Sequence, residues 1–386
     1  MKARLKALKS PVWIHAVSVG EAMEAISFIK EIRSRNPQEE IVFSCGTSTG
    51  FATAVKRLPS DVVSIYCPVD IWWMMWRTVR LIRPRLLLIL EVEIWPNLIR
   101  RARRLGAKVI LVNGRLSDNS SRGYARWKWV FKPIFADFSA LCMQTAEDVE
   151  RLERVIGKDE RIHSVGTVKF DQVTDSEGQD MNAIMNDAFG TEPRCVFCVG
   201  STHGGEEEVI AGAVAALRKK LPQLRMVLVP RHAERGAEVV KVLKEHGLTW
   251  RSVKPVEGCT PDEGAVDVLL VNTTGQLTNY YAASDICFVG KSLDGQFGGH
   301  NIIEPAIFGK ALLYGPHMEN FRQVDEIFRE ENSGIAMSGN GELLPALRRL
   351  VEDEAYRSTL GANARATVDR HRGSIARTLD IIGNLK

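Results

Sequence analysis

The feature that most constrains the fold is a series of short, nearly continuous apolar runs separated by segments with helical periodicity. Examples of these runs are VWIHAVS (12–18), RLLLILE (85–91) and CVFCVGS (195–201). A strand with one wet face alternates apolar and polar residues, whereas continuous runs indicate strands that are buried on both faces of a parallel sheet. Because helical patterns lie between the runs, the sequence predicts an α/β chain built from βαβ units.

The runs fall into two series, so we predict two Rossmann-like, doubly wound domains. The first series ends near residue 166, a polar segment follows, and the second series occupies residues 195–316. We place the N-terminal domain at 1–173, a linker at 174–193 and the C-terminal domain at 194–355. A chain of 386 residues exceeds what one hydrophobic core usually holds. Two such halves facing across a cleft form the architecture called GT-B.

The formal net charge of +4 conceals an asymmetry along the chain. Residues 1–136 carry a balance of +13 and the remainder a balance of −9. A basic N-terminal part favours an anionic partner: nucleic acid, a membrane surface or an acidic substrate. The seven scattered cysteines, Cys195 and Cys198 among them, fit buried structural thiols in a reducing compartment. With no signal peptide and no stretch of 18 apolar residues, we expect a cytoplasmic protein that is peripheral to a membrane.

A carboxylate stands where the first predicted strand meets the first predicted helix. The strand VWIHAVS breaks at Gly20, and Glu21 follows as the helical pattern begins. The helix dipole favours an acidic residue at a helix N-terminus, which alone would explain Glu21. Open parallel sheets also build active sites at the carboxyl ends of their strands, which would make Glu21 a catalytic candidate. The sequence is compatible with both explanations.

Four predicted strand ends in the second series carry small, hydroxyl, amide and basic residues. They are GSTHGGEEE (200–208), VPRH (229–232), NTTGQL (272–277) and GGHNIIEP (298–305). Small residues such as Ser201 and Thr202 let backbone N–H groups approach an oxyanion at a helix N-terminus, and Arg231 adds a cation. Neither half has a G-x-G-x-x-G after its first strand, so we predict a nucleotide-phosphate site rather than a dinucleotide site. Glu304 could reach ribose hydroxyls or cap its helix, and Asn301 could be only an N-cap residue.

The first series offers a different set of side chains at its strand ends. Glu91 and Glu93 end the fourth strand at strand spacing, so their side chains are expected on the same face. Asn113 and Arg115 follow the fifth strand, and Lys169 follows the last. We expect Glu93, Asn113 and Arg115 on the acceptor side of the cleft. An interdomain salt bridge is the alternative explanation for Lys169.

Seven segments, in the same order along the chain, resemble signatures of the 3-deoxy-D-manno-octulosonic acid (Kdo) transferases. They are HAVSVGE, EVEIWPN, NGRLS, GTVKFD, GSTHGGEE, VPRHAER and FVGKSL…GGHNIIEPA. Enzymes of this family have the GT-B fold and transfer Kdo from CMP-Kdo to lipid A precursors. The resemblance covers nearly all of the chain and implies an enzyme of lipopolysaccharide biosynthesis.

The resemblance also implies roles for particular residues. The family's catalytic base is the glutamate of VSVGE, here Glu21, and the transition state is supported by Glu91 and Lys169. The residues expected to contact the nucleotide are Ser201, Thr202, Pro230, Arg231, Thr274, Gly275, Gln276, Asn301, Ile302, Ile303 and Glu304.

This chain departs from the family pattern at several positions. It has Asn272 and Gln276 where relatives commonly have Asp-x-x-Gly-Glu, Thr167 where they have Asn or Ser, and Lys291 where they often have Gly. An amide at Gln276 weakens the contact assigned there, although a backbone N–H of the same loop would remain. Family members usually begin with a membrane-anchoring helix, and the start MKARLKALKSP leaves open whether one precedes it. By analogy with the family fold, a helix at 356–386 crosses back to the N-terminal domain.

The residues suit one direct displacement at the ketosidic carbon. Loss of CMP develops positive charge on that carbon and negative charge on the phosphate, while the acceptor hydroxyl needs a base on the opposite side. We expect Glu21 to be that base, Arg231 and Lys169 to stabilise the departing phosphate, and the anomeric configuration to invert. A monophosphate leaving group with such donors needs no divalent metal, and the sequence has no Asp-x-Asp motif. We therefore predict no cofactor.

The stretch DIWWMMWRTVRLIRPR (70–85) combines aromatic and basic residues. Three tryptophans and two methionines in five consecutive positions would point almost all round a helix, so one core cannot bury them all. We expect Trp72, Trp73 and Trp76 to contact a membrane surface, with the neighbouring arginines on anionic lipid. A helix at a domain or dimer interface is the alternative.

Two other function classes compete with a Kdo transferase. Another GT-B enzyme, either a UDP-sugar transferase or a nucleotide-sugar epimerase, would use a similar cleft, although an epimerase needs no basic, tryptophan-rich acceptor side. A nucleic-acid-binding protein would account only for the basic half, which lacks a stacking platform and a helix-turn-helix signature. We therefore expect CMP-Kdo, a lipid A precursor and the anionic cytoplasmic face of the inner membrane as partners, and no nucleic acid.

Overall fold

The computed structural model describes residues 2–173 and 180–385, and the chain forms two compact units. Unit 1 comprises residues 1–172 and 371–386, and unit 2 comprises residues 173–370. Each unit is built around one seven-stranded parallel sheet with helices between its strands. The predicted α/β class is confirmed.

Unit 1 has its strands buried on both faces. The strands are β1 (Val12–Ala16), β2 (Ile41–Cys45), β3 (Val63–Tyr66), β4 (Leu86–Leu90), β5 (Lys108–Gly114), β6 (Ala140–Met143) and β7 (Ile162–Ser164). The helices before its C-terminal segment are α1 (Lys2–Ala7), α2 (Val19–Arg35), α3 (Ser48–Val55), α4 (Trp72–Ile82), α5 (Pro96–Arg104), α6 (Asp118–Arg126), α7 (Lys128–Phe135) and α8 (Ala146–Ile156). The sheet order is β3-β2-β1-β4-β5-β6-β7, so the direction of chain progression reverses between β1 and β4. Separate apolar clusters around Trp13 and Phe43 cover the sheet, as continuous apolar runs require.

Unit 2 repeats this plan with a different strand order. Its strands are β8 (Cys195–Thr202), β9 (Leu224–Pro230), β10 (Trp250–Ser252), β11 (Val268–Leu270), β12 (Ile286–Val289), β13 (Ala311–Tyr314) and β14 (Ile335–Ala336). Its helices are α9 (Asn182–Phe189), α10 (Glu206–Arg218), α11 (Gly236–Glu245), α12 (Leu277–Ala282), α13 (Ile303–Ala306), α14 (Arg322–Glu330), α15 (Leu343–Glu352) and α16 (Glu354–His371). The order is β10-β11-β9-β8-β12-β13-β14, so progression reverses between β8 and β12.

The segments that join the predicted domains differ from the expectation in two ways. Residues 174–179 of the predicted linker lie outside the described residues, whereas α9 belongs to unit 2, where the N–H of Val266 donates to the C=O of Ala188 at 2.9 Å. The prediction of one helix at 356–386 is wrong, because the helix is interrupted after α16. A separate helix, α17 (Ser374–Asn384), follows in unit 1. The break lies at Gly373, which has φ +89° and donates its N–H to the Asp171 carboxylate at 2.6 Å.

Candidate active site

Within residues 2–173 and 180–385, seven residues other than glycine have a positive φ, and four of them lie at the carboxyl ends of central strands. Glu91 after β4 has φ +52° and Asn113 in β5 has φ +54°. In unit 2, Ser201 in β8 has φ +58° and Lys291 after β12 has φ +60°. Residues other than glycine rarely adopt this conformation, and those that do cluster at functional sites. The carboxyl ends of the strands beside each reversal of chain progression are also where open parallel sheets bind ligands.

Glu21 caps the helix that follows β1. Its Oε2 accepts the N–H of Val17 at 2.8 Å and its Oε1 accepts the N–H of Ser18 at 3.1 Å. In return, the N–H of Glu21 donates to Ser18 Oγ at 3.2 Å, which completes a capping box. Burial raises the pKa of the Glu21 carboxyl, and the hydrogen bonds from Ser18 and Val17 oppose the rise. Glu21 therefore does cap the N-terminus of α2, while its catalytic role stays a prediction.

Glu24, one turn further along α2, was missed by the sequence analysis. Its Oε2 accepts a hydrogen bond from Asn113 Nδ2 at 2.8 Å, and both residues are buried. Burial raises the pKa of Glu24 to about 8, and the negative charge of Glu91 adds to the effect. Asn113 Oδ1 also accepts the N–H of Val168 at 3.2 Å, so one amide joins helix α2 to the turn before Lys169. The spacing of Glu21 and Glu24, three residues apart on one helix face, was the available signal.

The prediction that Glu91 and Glu93 lie on one face of the fourth strand is wrong, because β4 ends at Leu90. Glu91 has left-handed backbone geometry, and Glu93 lies in the turn before α5, where its Oε2 accepts Trp95 Nε1–H at 3.0 Å. The two side chains therefore do not share a strand face. Burial raises the pKa of Glu91, and the charges of Lys169 and Arg115 oppose the rise.

Lys169 lies in the 3-10 helix Val168–Gln172 of unit 1. Burial lowers its pKa, and the carboxyl groups of Glu24 and Glu91 oppose that change. Glu21, Glu24, Glu91 and Lys169 thus act on one another electrostatically; we call this set the carboxylate cluster. Exposed Arg115 borders the cluster.

In unit 2, a buried glutamate forms hydrogen bonds with the residues that follow β8 and β12, the two strands between which chain progression reverses. Glu206 at the start of α10 accepts four backbone N–H groups, at 2.7–3.2 Å, from His203, Lys291, Ser292 and Leu293. The sequence analysis did not identify Glu206. The His203 N–H is thus already bonded to this carboxylate, while the expectation that an oxyanion uses the N-terminus of α10 stays a prediction.

The turn after β8 nevertheless contains groups suited to a polar ligand. Thr202 Oγ1 is buried and has no hydrogen-bond partner within residues 2–173 and 180–385. Its neighbour His203 approaches His300, with 3.1 Å between their Nε2 atoms. Burial and the charge of Arg231 lower the pKa of His300 to about 4, and burial and Lys291 lower that of His203. Two neutral imidazoles can share one hydrogen bond, one as donor and one as acceptor.

The remaining predicted nucleotide contacts divide into accessible and buried groups. Arg231 is exposed beside the turn after β8, where its N–H donates to the C=O of Thr202 at 3.0 Å. Thr274 and Gly275 are exposed as well, whereas the Pro230 side chain is buried. Gln276 is the N-cap residue before α12, and its Oε1 accepts the hydroxyl of Thr273 at 2.8 Å.

In the segment 301–304, the side chains are more buried and more engaged in internal hydrogen bonds than the sequence suggested. Asn301 Oδ1 accepts the N–H of Ile303 at 3.1 Å, but the N-cap of the four-residue helix α13 is Ile302, so Asn301 precedes the cap. The side chains of Ile302 and Ile303 are fully buried, so only their main chain could meet a ligand. Asn301 Nδ2 lies 3.4 Å from Glu304 Oε1, and burial raises the pKa of Glu304.

The tryptophan-rich stretch forms α4, and its three tryptophans are exposed. Trp72 is 66% exposed, and the guanidinium of Arg80 lies 5.1 Å from the ring centroid of Trp76. Two further exposed tryptophans, Trp127 and Trp129, begin α7 and were not predicted. Over the described ranges, no helix combines the length and apolarity that a membrane crossing requires. That part of the chain also holds no group of three or more His, Cys, Asp or Glu residues placed to bind a metal ion.

Comparisons with known proteins identify relatives for both halves of the chain. Residues 1–172 match the family described as 3-Deoxy-D-manno-octulosonic-acid transferase (kdotransferase). A 3-deoxy-D-manno-octulosonic acid transferase of Haemophilus influenzae is 28% identical over 96% of this chain and 86% of its own length. A bifunctional glycosyltransferase/methyltransferase of Fusobacterium nucleatum is 30% identical over 89% of this chain, which spans about half (53%) of that longer relative.

Among solved structures, the chain is similar to a UDP-GlcNAc 2-epimerase from Neisseria meningitidis bound to UDP-GlcNAc. The TM-score is 0.61 at 13% identity, with 97% of this chain and 100% of that chain covered. At this identity the likeness concerns the fold alone, and it confirms the predicted GT-B class.

Proposed function

Because this chain belongs to the Kdo transferase family of glycosyltransferases, we propose that it transfers Kdo from CMP-Kdo to a lipid A precursor such as lipid IVA. The relatives named as Kdo transferases support the sugar, and the seven signature segments support the donor and acceptor. The observation that carries the proposal is the carboxylate cluster, which lies within the 172 residues matched to the family. Attack by a hydroxyl on an anionic sugar requires a base and a cation, and the cluster contains both.

Glu21 is the proposed general base. Each of its oxygens accepts one backbone N–H, and a carboxylate oxygen has a second lone pair that can accept a proton. Burial strengthens the base by raising its pKa, while the two N–H donors favour the ionised form that abstraction needs. One displacement with this base inverts the anomeric carbon. General-base assistance of this kind is worth roughly 10²–10⁴-fold in rate.

The groups of unit 2 are proposed to receive the leaving CMP. The proposed donors to the phosphate are the exposed cation Arg231, the His203–His300 pair and the hydroxyl of Thr202, which has no partner in the described part of the chain. Such donors compensate the charge that develops on the phosphate as the bond to Kdo breaks. We propose that no divalent metal is needed, so that EDTA leaves the rate unchanged.

The acceptor is proposed to reach the enzyme from an anionic membrane surface. The exposed tryptophans of α4 and the arginines beside them, within a segment of +13 net charge, suit the headgroup region of such a membrane. Trp127 and Trp129 extend the exposed aromatic surface of unit 1. This surface supports a location at the cytoplasmic face of the inner membrane.

The proposal is tested by incubating the purified protein with CMP-Kdo and lipid IVA and measuring Kdo addition by mass spectrometry. UDP-GlcNAc replaces CMP-Kdo in a parallel reaction, and calorimetry compares the binding of CMP, UMP and UDP. We expect Kdo-modified lipid and a preference for CMP. Binding that prefers a uridine nucleotide, without Kdo transfer, would instead identify a UDP-sugar enzyme of the same fold.

A further inference from the structure

Lys291 is a strained residue that its neighbours fix in place. Its φ of +60° lies in the region that favours glycine, a conformation that costs other residues about 1–2 kcal/mol. The N–H of Lys291 donates to Glu206 Oε2 at 2.7 Å, and its C=O accepts the N–H of Gly299 at 3.0 Å. Strain that surrounding bonds maintain at a strand end indicates a functional position.

The location of Lys291 is the reversal point of the unit 2 sheet. β8 and β12 are neighbours there, and the backbones at their carboxyl ends are in close contact. A Cβ atom added at Gly290 would lie 2.5 Å from the C=O oxygen of Ser201. Lys291 therefore follows a residue that packs against Ser201 and Thr202 at the end of β8.

The charge of Lys291 acts on both imidazoles of the His203–His300 pair. Among neighbouring charges, that of Lys291 has the largest effect on the pKa of His203, and it lowers the pKa of His300 as well. Arg231 acts on the same two rings. The backbone geometry agrees, because Glu206 Oε2 accepts the N–H groups of both His203 and Lys291, and Gly299, next to His300, donates to the C=O of Lys291. A site with two cations and two neutral imidazoles selects an anion with several acceptor oxygens.

We propose that Lys291 is a further phosphate-binding residue, whose ammonium group binds the phosphate of the nucleotide beside His203 and His300. This inference rests on the proposed function, because it takes the ligand to be a nucleotide. It explains why a lysine occupies a position where glycine would be free of strain. Lys291 adds a cation to the phosphate site beyond Arg231.

The test measures the binding of CMP and of cytidine by calorimetry for Lys291→Gln and Lys291→Gly. Loss of a charge-assisted hydrogen bond should weaken CMP binding about tenfold or more in both variants. Cytidine, which lacks the phosphate, should bind as it does to the unchanged protein. Lys291→Gly should also raise the thermal unfolding midpoint, because glycine relieves the strain. A purely structural lysine would not combine higher stability with weaker binding of the phosphate-bearing ligand alone.

Asn332→Gly provides the matched control, since Asn332 has φ +52°, is exposed and lies in the same unit after α14. It should raise the unfolding midpoint without changing CMP affinity. CMP binding by Lys291→Gln within about twofold of the unchanged protein, or an equal loss for cytidine, would overturn the inference. Failure of the donor assignment would appear differently, as an absence of CMP preference in the unchanged protein.

Discussion

Replacing Glu21 by glutamine separates its capping role from its proposed catalytic role. Glutamine keeps one acceptor oxygen, but its amide nitrogen must face one of the two backbone N–H groups that the carboxylate now accepts. One hydrogen bond to a charged acceptor is lost, a contribution of about 1.5–3 kcal/mol. Removal of a buried charge returns part of its desolvation cost, so we expect a net loss near 1–2 kcal/mol.

The expected loss of activity is much larger than this destabilisation can cause. A domain with a stability of about 5–15 kcal/mol that loses 2 kcal/mol remains almost entirely folded. Loss of a general base should lower kcat by roughly 10²–10⁴-fold, with CMP binding retained. Because the pKa of Glu21 is raised, activity of the unchanged enzyme should fall as the pH decreases toward that pKa. This acid limb should be missing from the residual activity of Glu21→Gln.

Thr145→Ala is the matched control, because Thr145 is the N-cap of α8 in the same unit. Its Oγ1 accepts the N–H of Asp148 at 3.0 Å, and removal of such a cap costs about 1 kcal/mol. The two variants should therefore unfold at similar denaturant concentrations, while only Glu21→Gln loses Kdo transfer. Kinetics within about tenfold of wild type for Glu21→Gln, or an equal loss in Thr145→Ala, would refute the assignment of Glu21 as the base.

Three further predictions concern the phosphate site, the buried carboxyl and the membrane surface. Arg231→Ala should weaken CMP binding about tenfold or more without affecting cytidine, as calorimetry would show; equal CMP affinity would remove Arg231 from the site. The folded-state pKa of Glu24, about 8, exceeds its ordinary value of 4.5, so the folded protein should lose stability as pH rises between these values. Glu24→Gln should lack that loss in thermal scans from pH 5 to 9, and parallel curves would contradict the raised pKa. Changing Trp72, Trp73 and Trp76 to Ser should reduce flotation with anionic liposomes, and undiminished flotation would argue against membrane contact by α4.

Local sequence patterns predicted most of the strands of both sheets. The run RLLLILE (85–91), for example, contains β4 (Leu86–Leu90). Strands β10 and β14 were missed because neither forms a continuous apolar run: only Trp250 of the three residues in β10 is apolar, and β14 has two residues. The single helix predicted at 356–386 is interrupted at Gly373, which has φ +89° and donates its N–H to the distant Asp171.

Candidate site residues could be predicted where a motif places them at the end of a strand. They could not be predicted where their environment is formed by residues from several strands and helices. Glu21, Arg231 and Lys169 were predicted from their segments, and each follows the carboxyl end of a strand, while their roles stay predictions. The same-face argument for Glu93 failed because a left-handed residue after β4 changes the chain direction. No local pattern reveals that a residue will adopt such a conformation.

The sequence by itself determined the α/β class, the strand-and-helix series and the segments that carry polar groups, because hydrophobic periodicity and turn chemistry are local properties. Only the tertiary structure decided which strand ends are neighbours, and therefore which side chains share one environment. The raised pKa of Glu24 arises from burial and from charges on other elements, and the fixed position of Lys291 arises from Glu206, 85 residues away in the chain. Desolvation and electrostatics depend on distance in space, so they follow from the fold and not from the order of residues.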